Sequence, residues 1–321
     1  MISVVIPTYN TALLIERTIR SVLTQSRQDF EILIVDDCST DDTLEVVRKI
    51  ADARIRVFRQ PENRGPAAAR NRGLAEAKGE YCAFLDGDDY WEPEFLRETA
   101  DFLGAHPGAV AVSVMQCHKI IGKEPVTAPR DTGVTEPVVL PDFFDFWAKY
   151  NHVCTGSALM RTAVARRLGG QRENLRVCED LEFWALLATQ GSWGFIPKVL
   201  FTSDGGLITR KTGNRKKNAL RLACIKNIEE WGGRLMPLLN AAQREKMVPV
   251  FNRITLPGTY SLLYIGKYRE AYRNISFYMP QKGRKNPIPV RVAALGPAVW
   301  LLFAWAYRCY RLIKDFRNGV H

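Results

Sequence analysis

Three carboxylates, Asp86, Asp88 and Asp89, fall within four residues, directly after the apolar run Tyr81-Cys82-Ala83-Phe84-Leu85. That run reads as a buried strand, and open α/β sheets bind ligands beyond the carboxyl ends of their strands. Anions packed this closely repel one another unless something positive sits among them. A hard divalent cation carrying a diphosphate answers that need, because Mg²⁺ takes carboxylate and phosphate oxygens together. An isolated Asp-Gly-Asp-Asp also reads as a solvated turn before the helix that Pro93 opens. The rest of the N-terminal half decides between the two.

Two other apolar runs end in polar side chains. Ser3-Val4-Val5-Ile6 leads into Pro7-Thr8-Tyr9-Asn10, and Glu31–Val35 leads into Asp36-Asp37-Cys38-Ser39-Thr40-Asp41. No Gly-x-Gly-x-x-Gly follows the first strand, which argues against a dinucleotide fold. The residues offered instead suit a nucleobase: Tyr9 as a ring to lie against it, and Asp36 or Asp37 as a carboxylate to accept the imide N–H of uracil or thymine. The stretch Asn63–Gly73 adds Arg64, Arg70 and a helix N-terminus opened by Pro66, a combination suited to phosphate.

These groups need a scaffold that brings strand ends to one edge. Over the first hundred residues the pattern alternates: strands at Ser3–Ile6, Glu31–Val35, Arg54–Phe58 and Tyr81–Leu85, with helices between them. Asp42-Thr43-Leu44-Glu45 resembles a capping box. Such alternation predicts βαβ units and a mostly parallel sheet. Val110–Gln116 and Ser157–Met160 read as further strands, Asp142–Tyr150 and Glu179–Ala188 as helices, and Gly122–Pro141 as an irregular excursion. After about Gly205 the alternation stops. The remainder reads as helices broken by Pro237, Pro257, Pro280, Pro287, Pro289 and Pro297. The expected division is therefore an α/β domain over 1–205 and a basic helical region over 206–321.

Net charge is +11 over 321 residues, and it is unevenly placed. Gln281–His321 holds eight Lys/Arg against one Asp, and Gly205–Ile228 holds seven Lys/Arg and no acid. An anionic partner for the C-terminal part follows. Only Trp231 lies near the second stretch as a stacking aromatic, which argues against nucleic acid. The seven cysteines are scattered without a CxxC, which fits a reducing cytosol rather than a disulfide framework or zinc site. Four histidines without ligand spacing argue against a His-based metal site. The chain opens on a strand without a basic n-region, so no secretory signal is expected.

Five pieces in order, Val5–Asn10, Ile34–Asp41, Asn63–Gly73, Phe84–Asp89 and Cys178-Glu179-Asp180, resemble the family-2 glycosyltransferases of the GT-A fold. The resemblance covers residues 1 to about 190. It implies a Rossmann-like sheet flanked by helices and an inverting sugar transfer from a nucleoside-diphosphate sugar. Residue by residue, it implies that Pro7, Thr8, Tyr9, Asp36 and Asp37 hold the base. Asp86 contacts ribose or donor sugar, and Asp88 ligates Mn²⁺ or Mg²⁺. Asp180 is the general base, with Glu179 orienting it or touching the acceptor. Neighbouring carboxylates raise each other's pKa, which suits proton abstraction near neutrality. Glu179-Asp180 also reads as helix N-terminal charge favoured by the macrodipole. Many members place a His after the base to complete the metal or diphosphate site. Here Thr202–Lys211 has none, so Asp204 stands as a substitute ligand and Arg210 and Lys211 as diphosphate contacts.

The expected donor is a UDP-sugar and the expected acceptor a glycan or lipid-linked saccharide. The alternative is a non-catalytic basic scaffold that binds membrane or nucleic acid. Val292–Tyr307 is sixteen residues without a charge, flanked by Arg291 and by Arg308, Arg311, Lys314 and Arg317. Interrupted by Gly296-Pro297, it is short for a 30 Å span and suits a segment lying in one leaflet of an anionic membrane. The expected place is the cytoplasmic face, with the membrane-associating segment at about 291–317. A core helix or the interface of a homo-oligomer is the other reading of that segment.

Overall fold

A computed structural model describes residues 1–119, 124–204, 214–281 and 285–317. The chain forms two compact units: residues 1–174 with 179–208, and Leu175–Cys178 with 209–321.

The first unit is a mixed sheet covered by helices. In chain order its elements are β1 (Ile2–Thr8), α1 (Ile15–Leu23), β2 (Phe30–Asp36), α2 (Thr43–Arg48), β3 (Ile55–Arg59), α3 (Pro66–Glu76), β4 (Tyr81–Phe84), β5 (Tyr90–Trp91) and α4 (Phe95–Ala105). There follow β6 (Ala109–His118), β7 (Val126–Ala128), β8 (Val138–Val139), α5 (Phe143–Lys149), β9 (Ala158–Arg161), α6 (Thr162–Arg167), α7 (Glu179–Ala188) and β10 (Ser192–Ser203). The strand order is β3-β2-β1-β4-β9-β6-β10-β5, with β7 beside β6 and β8 beside β10. Pairing is parallel from β3 to β4 and between β6 and β10; β9 inserts antiparallel between β4 and β6. Central strands covered on both faces need side chains that tolerate burial everywhere. All seven residues of β1 and of β2 are buried, whereas the edge strand β3 is not.

Helix α3 lies close on the sheet because its inner face is small. Ala67, Ala68 and Ala69 are buried, and a Cβ on Gly73 would stand 2.2 Å from Cγ1 of Val5. Gly65, the residue before α3, has φ +90°, a backbone that favours glycine. At α2 the side chain that caps is not the expected one. Asp42 makes no cap hydrogen bond, and Asp41 Oδ1 accepts from the Thr43 N–H at 3.1 Å instead.

The sequence pattern did not announce β10. Pro197 and Lys198 interrupt its apolar run, and the register against β6 shifts between Ile196 and Val199. Proline has no N–H to give to a ladder, so it sits at an irregularity. The consequence for the site is large. β10 pairs antiparallel with β5 and carries the chain from the sheet interior to Asp204, beside the Asp86–Asp89 turn.

The second unit is helical: α8 (Asn214–Leu222), α9 (Ile228–Trp231), α10 (Ala241–Tyr264), α11 (Tyr268–Ile275), α12 (Ile288–Ala293) and α13 (Pro297–Arg317), with a short 3₁₀ turn at Met236–Leu238. Pro257 does not end a helix as expected; α10 runs through both Pro249 and Pro257. A buried polar group supports this stretch. Asn274 Nδ2 donates to the Thr255 carbonyl and to Thr259 Oγ1, each at 2.9 Å, within a helix weakened by its missing N–H donors. Gly296, with φ +101°, separates α12 from α13. Helix α13 buries Trp300 and Ala304 against Leu262, Leu263, Ala271 and Ile275, and the Trp300 indole N–H donates to the Tyr268 carbonyl at 2.9 Å. Its other side exposes Leu301, Leu302, Trp305, Leu312 and Ile313. Among the described residues no helix is long and apolar enough to cross a membrane.

Candidate active site

The ends of β1, β2 and β4, the start of α7 and the end of β10 supply the polar residues. The first group is a set of loops tied by side chain to backbone. The Asp37 N–H donates to the Thr8 carbonyl at 2.8 Å, and the Thr8 and Thr11 hydroxyls are hydrogen-bonded to each other. Asn10, at φ +53°, accepts from the Thr40 N–H at 2.9 Å and donates its own N–H to Ser39 Oγ at 3.0 Å. Pro7 is buried near the end of β1, and Tyr9 projects from the loop, 47% exposed.

Asp36 and Asp37 have different environments. Asp36 is fully buried; both its oxygens accept from the Ser39 N–H at 3.2 Å, and Arg59 Nε lies 3.4 Å from Oδ2. Asp37 Oδ1 accepts from Gln60 Nε2 at 2.7 Å and from the Arg64 N–H at 2.9 Å, and Oδ2 accepts from the Gly65 N–H at 2.8 Å. A carboxylate has about four acceptor places, so Oδ2 of Asp37 keeps room for one more donor. The pair thus fixes the Arg64-Gly65 loop, and Asp37 rather than Asp36 has capacity for a base. Arg64 reaches outward to Glu173 Oε2 at 2.7 Å.

Arg70 is the centre of the second group. It is 4% exposed, and its guanidinium donates to Asp86 Oδ1 at 2.8 Å, Glu179 Oε1 at 3.0 Å and Gln171 Oε1 at 3.0 Å. Burial works against its charge, but the carboxylates of Asp86, Glu179 and Asp180 outweigh it and raise its pKa above that of a free guanidinium. The expected phosphate contact is therefore a buried cation that gathers the carboxylates of β4 and α7. Asp180 stands next to it. Burial, and then the neighbouring Glu179, push its carboxyl up to about 7, while Arg70 pulls the other way.

The third group is the acidic turn with Asp204. Burial and the charge of Asp86 raise the Asp88 carboxyl to about 6, with Asp204 adding to the effect and Arg17 opposing it. Asp89 is buried and raised by that burial, then by Asp88 and Asp86; its Oδ1 accepts from the Asp204 N–H at 2.8 Å. Arg17, unremarked in the sequence, donates to Asp204 Oδ2 at 2.5 Å and to the Asp88 carbonyl at 2.6 Å, and stacks over the Tyr90 ring at 4.7 Å. Its role depends on a partner 187 residues away through the β5–β10 pairing, so no local pattern carries it. Arg210 and Lys211 lie outside the described residues.

The donor set fits a divalent cation of one kind. Among the described residues no three His, Cys, Asp or Glu form a metal cage. Asp88, whose carboxyl is raised to about 6 by burial and then by Asp86, gains from a cation, and the charge of Asp204 acts on it too. One or two carboxylates completed by substrate phosphates is how Mg²⁺ is usually held.

Residues 3–168 match the family model described as glycosyl transferase family 2. A Rickettsia conorii protein described as an uncharacterized glycosyltransferase is 32% identical over 86% of this chain and 44% of its own length. The Escherichia coli UDP-Glc:alpha-D-GlcNAc-diphosphoundecaprenol beta-1,3-glucosyltransferase WfaP is 46% identical over 32% of this chain and 41% of its own length. The chain thus spans less than half of each of these two curated relatives. Among solved structures, Staphylococcus aureus TarS 1-349 in complex with UDP-GlcNAc superposes with a TM-score of 0.61 at 20% identity, over 100% of this chain and 92% of that one. Mannosyltransferase PcManGT from Pyrobaculum calidifontis, in complex with GDP-Man and Mn²⁺, gives 0.58 at 20% identity over 99% and 87%. Both show the GT-A fold.

The raised Asp180 carboxyl predicts a pH effect on stability. Its folded pKa of about 7 exceeds the roughly 3.9 of an unfolded Asp. The folded chain then binds more protons between those values, and stability falls as pH rises through the window. Asp180→Asn removes the term. By thermal melting of the donor-free protein, the variant should melt higher than wild type at about pH 8 and match it at about pH 4. A lower melting point at the higher pH contradicts the assignment.

Proposed function

We propose that this chain, which belongs to glycosyl transferase family 2, transfers a sugar from a UDP-sugar to a hydroxyl of a saccharide acceptor with inversion. The observation that carries the reading is the carboxyl of Asp180, poised at about 7 beside an Arg70 that also holds Asp86 and Glu179. A base whose pKa lies near the working pH combines the right protonation state with driving force. Asp180 takes the proton of the acceptor hydroxyl at its carboxylate, and the oxygen so freed attacks the anomeric carbon opposite the leaving diphosphate. The configuration inverts in one displacement. Glu179 keeps its neighbour's carboxyl high and, tied to Arg70, fixes the first turn of α7.

On the donor side, Tyr9 offers its exposed ring to the base and Asp37 Oδ2 its remaining acceptor place to the imide N–H. Asp86, held by Arg70, takes ribose or sugar hydroxyls. Asp88, with Asp204, would hold Mn²⁺ or Mg²⁺, which when bound neutralises charge growing on the β-phosphate. The relatives supply support of the same kind: WfaP is named for UDP-Glc and a diphosphoundecaprenol-linked acceptor, TarS was solved with UDP-GlcNAc, and PcManGT with Mn²⁺. A UDP-sugar donor and a lipid-linked saccharide in cell-surface polysaccharide assembly is the reading these favour.

The test is turnover and nucleotide competition on one preparation. Asp180→Asn should lose about 10²–10⁴-fold in transfer while binding UDP as wild type does, and NMR of the product should show the inverted anomer. UDP should compete with the donor where ADP does not. A retained anomer rules out single displacement, and equal competition by ADP overturns the base-binding role of Asp37.

A lipid-linked acceptor requires the enzyme to meet a membrane, and α13 offers the surface for it. Leu301, Trp305 and Leu312 recur along one side of the helix and Leu302 and Ile313 along the next, all exposed, as the 3.6-residue period requires of neighbours on one face. No charge interrupts Pro297–Tyr307, and Arg308 and Lys314 follow. Interfacial Trp with flanking cations suits the cytoplasmic face of an anionic bilayer. Leu302→Glu with Trp305→Glu, both at exposed positions, should abolish flotation with anionic liposomes and leave soluble donor hydrolysis unchanged. Full-length protein that never floats contradicts the membrane role.

A further inference from the structure

A cavity of about 190 Å³ lies wholly within the helical unit, lined by Asn218 of α8, Tyr260, Ser261 and Tyr264 of α10, and Tyr307 and Arg311 of α13. None of these residues has a part in the transfer site. The cavity is smaller than the roughly 300–1,000 Å³ of pockets for drug-sized ligands, so a nucleotide sugar does not fit and a single ring does. Its walls are aromatic on two helices: the Tyr260 and Tyr307 rings stand 5.6 Å apart, inclined by 38°. Its polar groups are an amide, hydroxyls and one guanidinium, with no carboxylate. The Arg311 Nε–H is buried and, among the described residues, without a hydrogen-bond acceptor. A buried donor in that condition calls for a partner.

We infer that this cavity is a second saccharide site, in which one pyranose ring lies against the tyrosines and its hydroxyls bond to Asn218, Ser261 and Arg311. Sugar hydroxyls both donate and accept, which the amide and hydroxyl groups match, and the C–H face of the ring supplies the apolar surface that tyrosine rings cover. An acyl chain leaves the buried Nε–H of Arg311 without an acceptor. A phosphate wants several converging cations or N–H groups, and the wall offers one. For a transferase acting on a saccharide chain, such a site holds a sugar unit away from the reacting end and raises the local concentration of acceptor. That consequence rests on the proposed transfer; the binding itself does not.

The test is saturation-transfer NMR on the full chain with glucose, galactose and N-acetylglucosamine, each tried alone and with UDP at saturation. At least one should give ring C–H signals that survive UDP and survive Asp180→Asn. These signals should fall at least several-fold in Arg311→Ala and in Asn218→Ala; the latter residue is exposed, so its variant keeps the fold. Loss of the signals on adding UDP assigns them to the transfer site and overturns the inference. So does their displacement by equimolar inorganic phosphate, their persistence in both variants, or their absence with all three sugars.

Discussion

The site depends on one buried cation. Arg70 sits in α3, pressed close to β1 by the alanines before it and by Gly73 after it, and from there joins Asp86 at the end of β4 to Glu179 at the start of α7. A guanidinium this buried is tolerated only because its two terminal amino groups meet carboxylates and an amide. The carboxylates are tolerated beside one another only because it is there. Remove the cation, and Asp86, Glu179 and Asp180 are left as neighbouring anions without a counter-charge among them. The gathering of Asp86, Glu179 and Asp180 at one sheet edge is thus the by-product of satisfying one buried charge. Arg17 plays the lesser version of this part for Asp204, closing the acidic turn from the side of α1.

The aspartates of this edge differ in the donors they receive. Asp37 accepts three hydrogen bonds, from Gln60 and the Arg64-Gly65 loop, and serves as an anchor with one acceptor place left. Asp88 and Asp180 lack that supply, and their carboxyls rise to about 6 and about 7. One residue type therefore meets three different settings on one sheet edge, set by its burial and by the groups around it.

Much of this was legible in the sequence. Strands β1, β2 and β4 announce themselves by unbroken apolar runs, and their polar ends fall on one edge by the logic of parallel pairing. Helix α7 begins at Glu179 as its pattern indicates. Long-range pairing was not legible. Strand β10 is disguised by Pro197 and Lys198, and with it went the setting of Asp204 and the role of Arg17. Arg70 was visible as a cation near the site but read as a phosphate contact, because burial and partner choice follow from packing and not from spacing. In the helical unit the prolines misled: Pro257 sits inside α10, in a stretch that the buried Asn274–Thr255–Thr259 group ties to α11.

The pH dependence of kcat/KM for transfer tests the central claim most directly, since it reads the Asp180 proton in the free enzyme. The account predicts a rising limb centred near the Asp180 value of about 7. In Arg70→Gln, where the opposing cation is gone, the limb should move to higher pH. A profile flat through neutrality, or a limb that Arg70→Gln leaves in place, contradicts the pairing of base and buried cation.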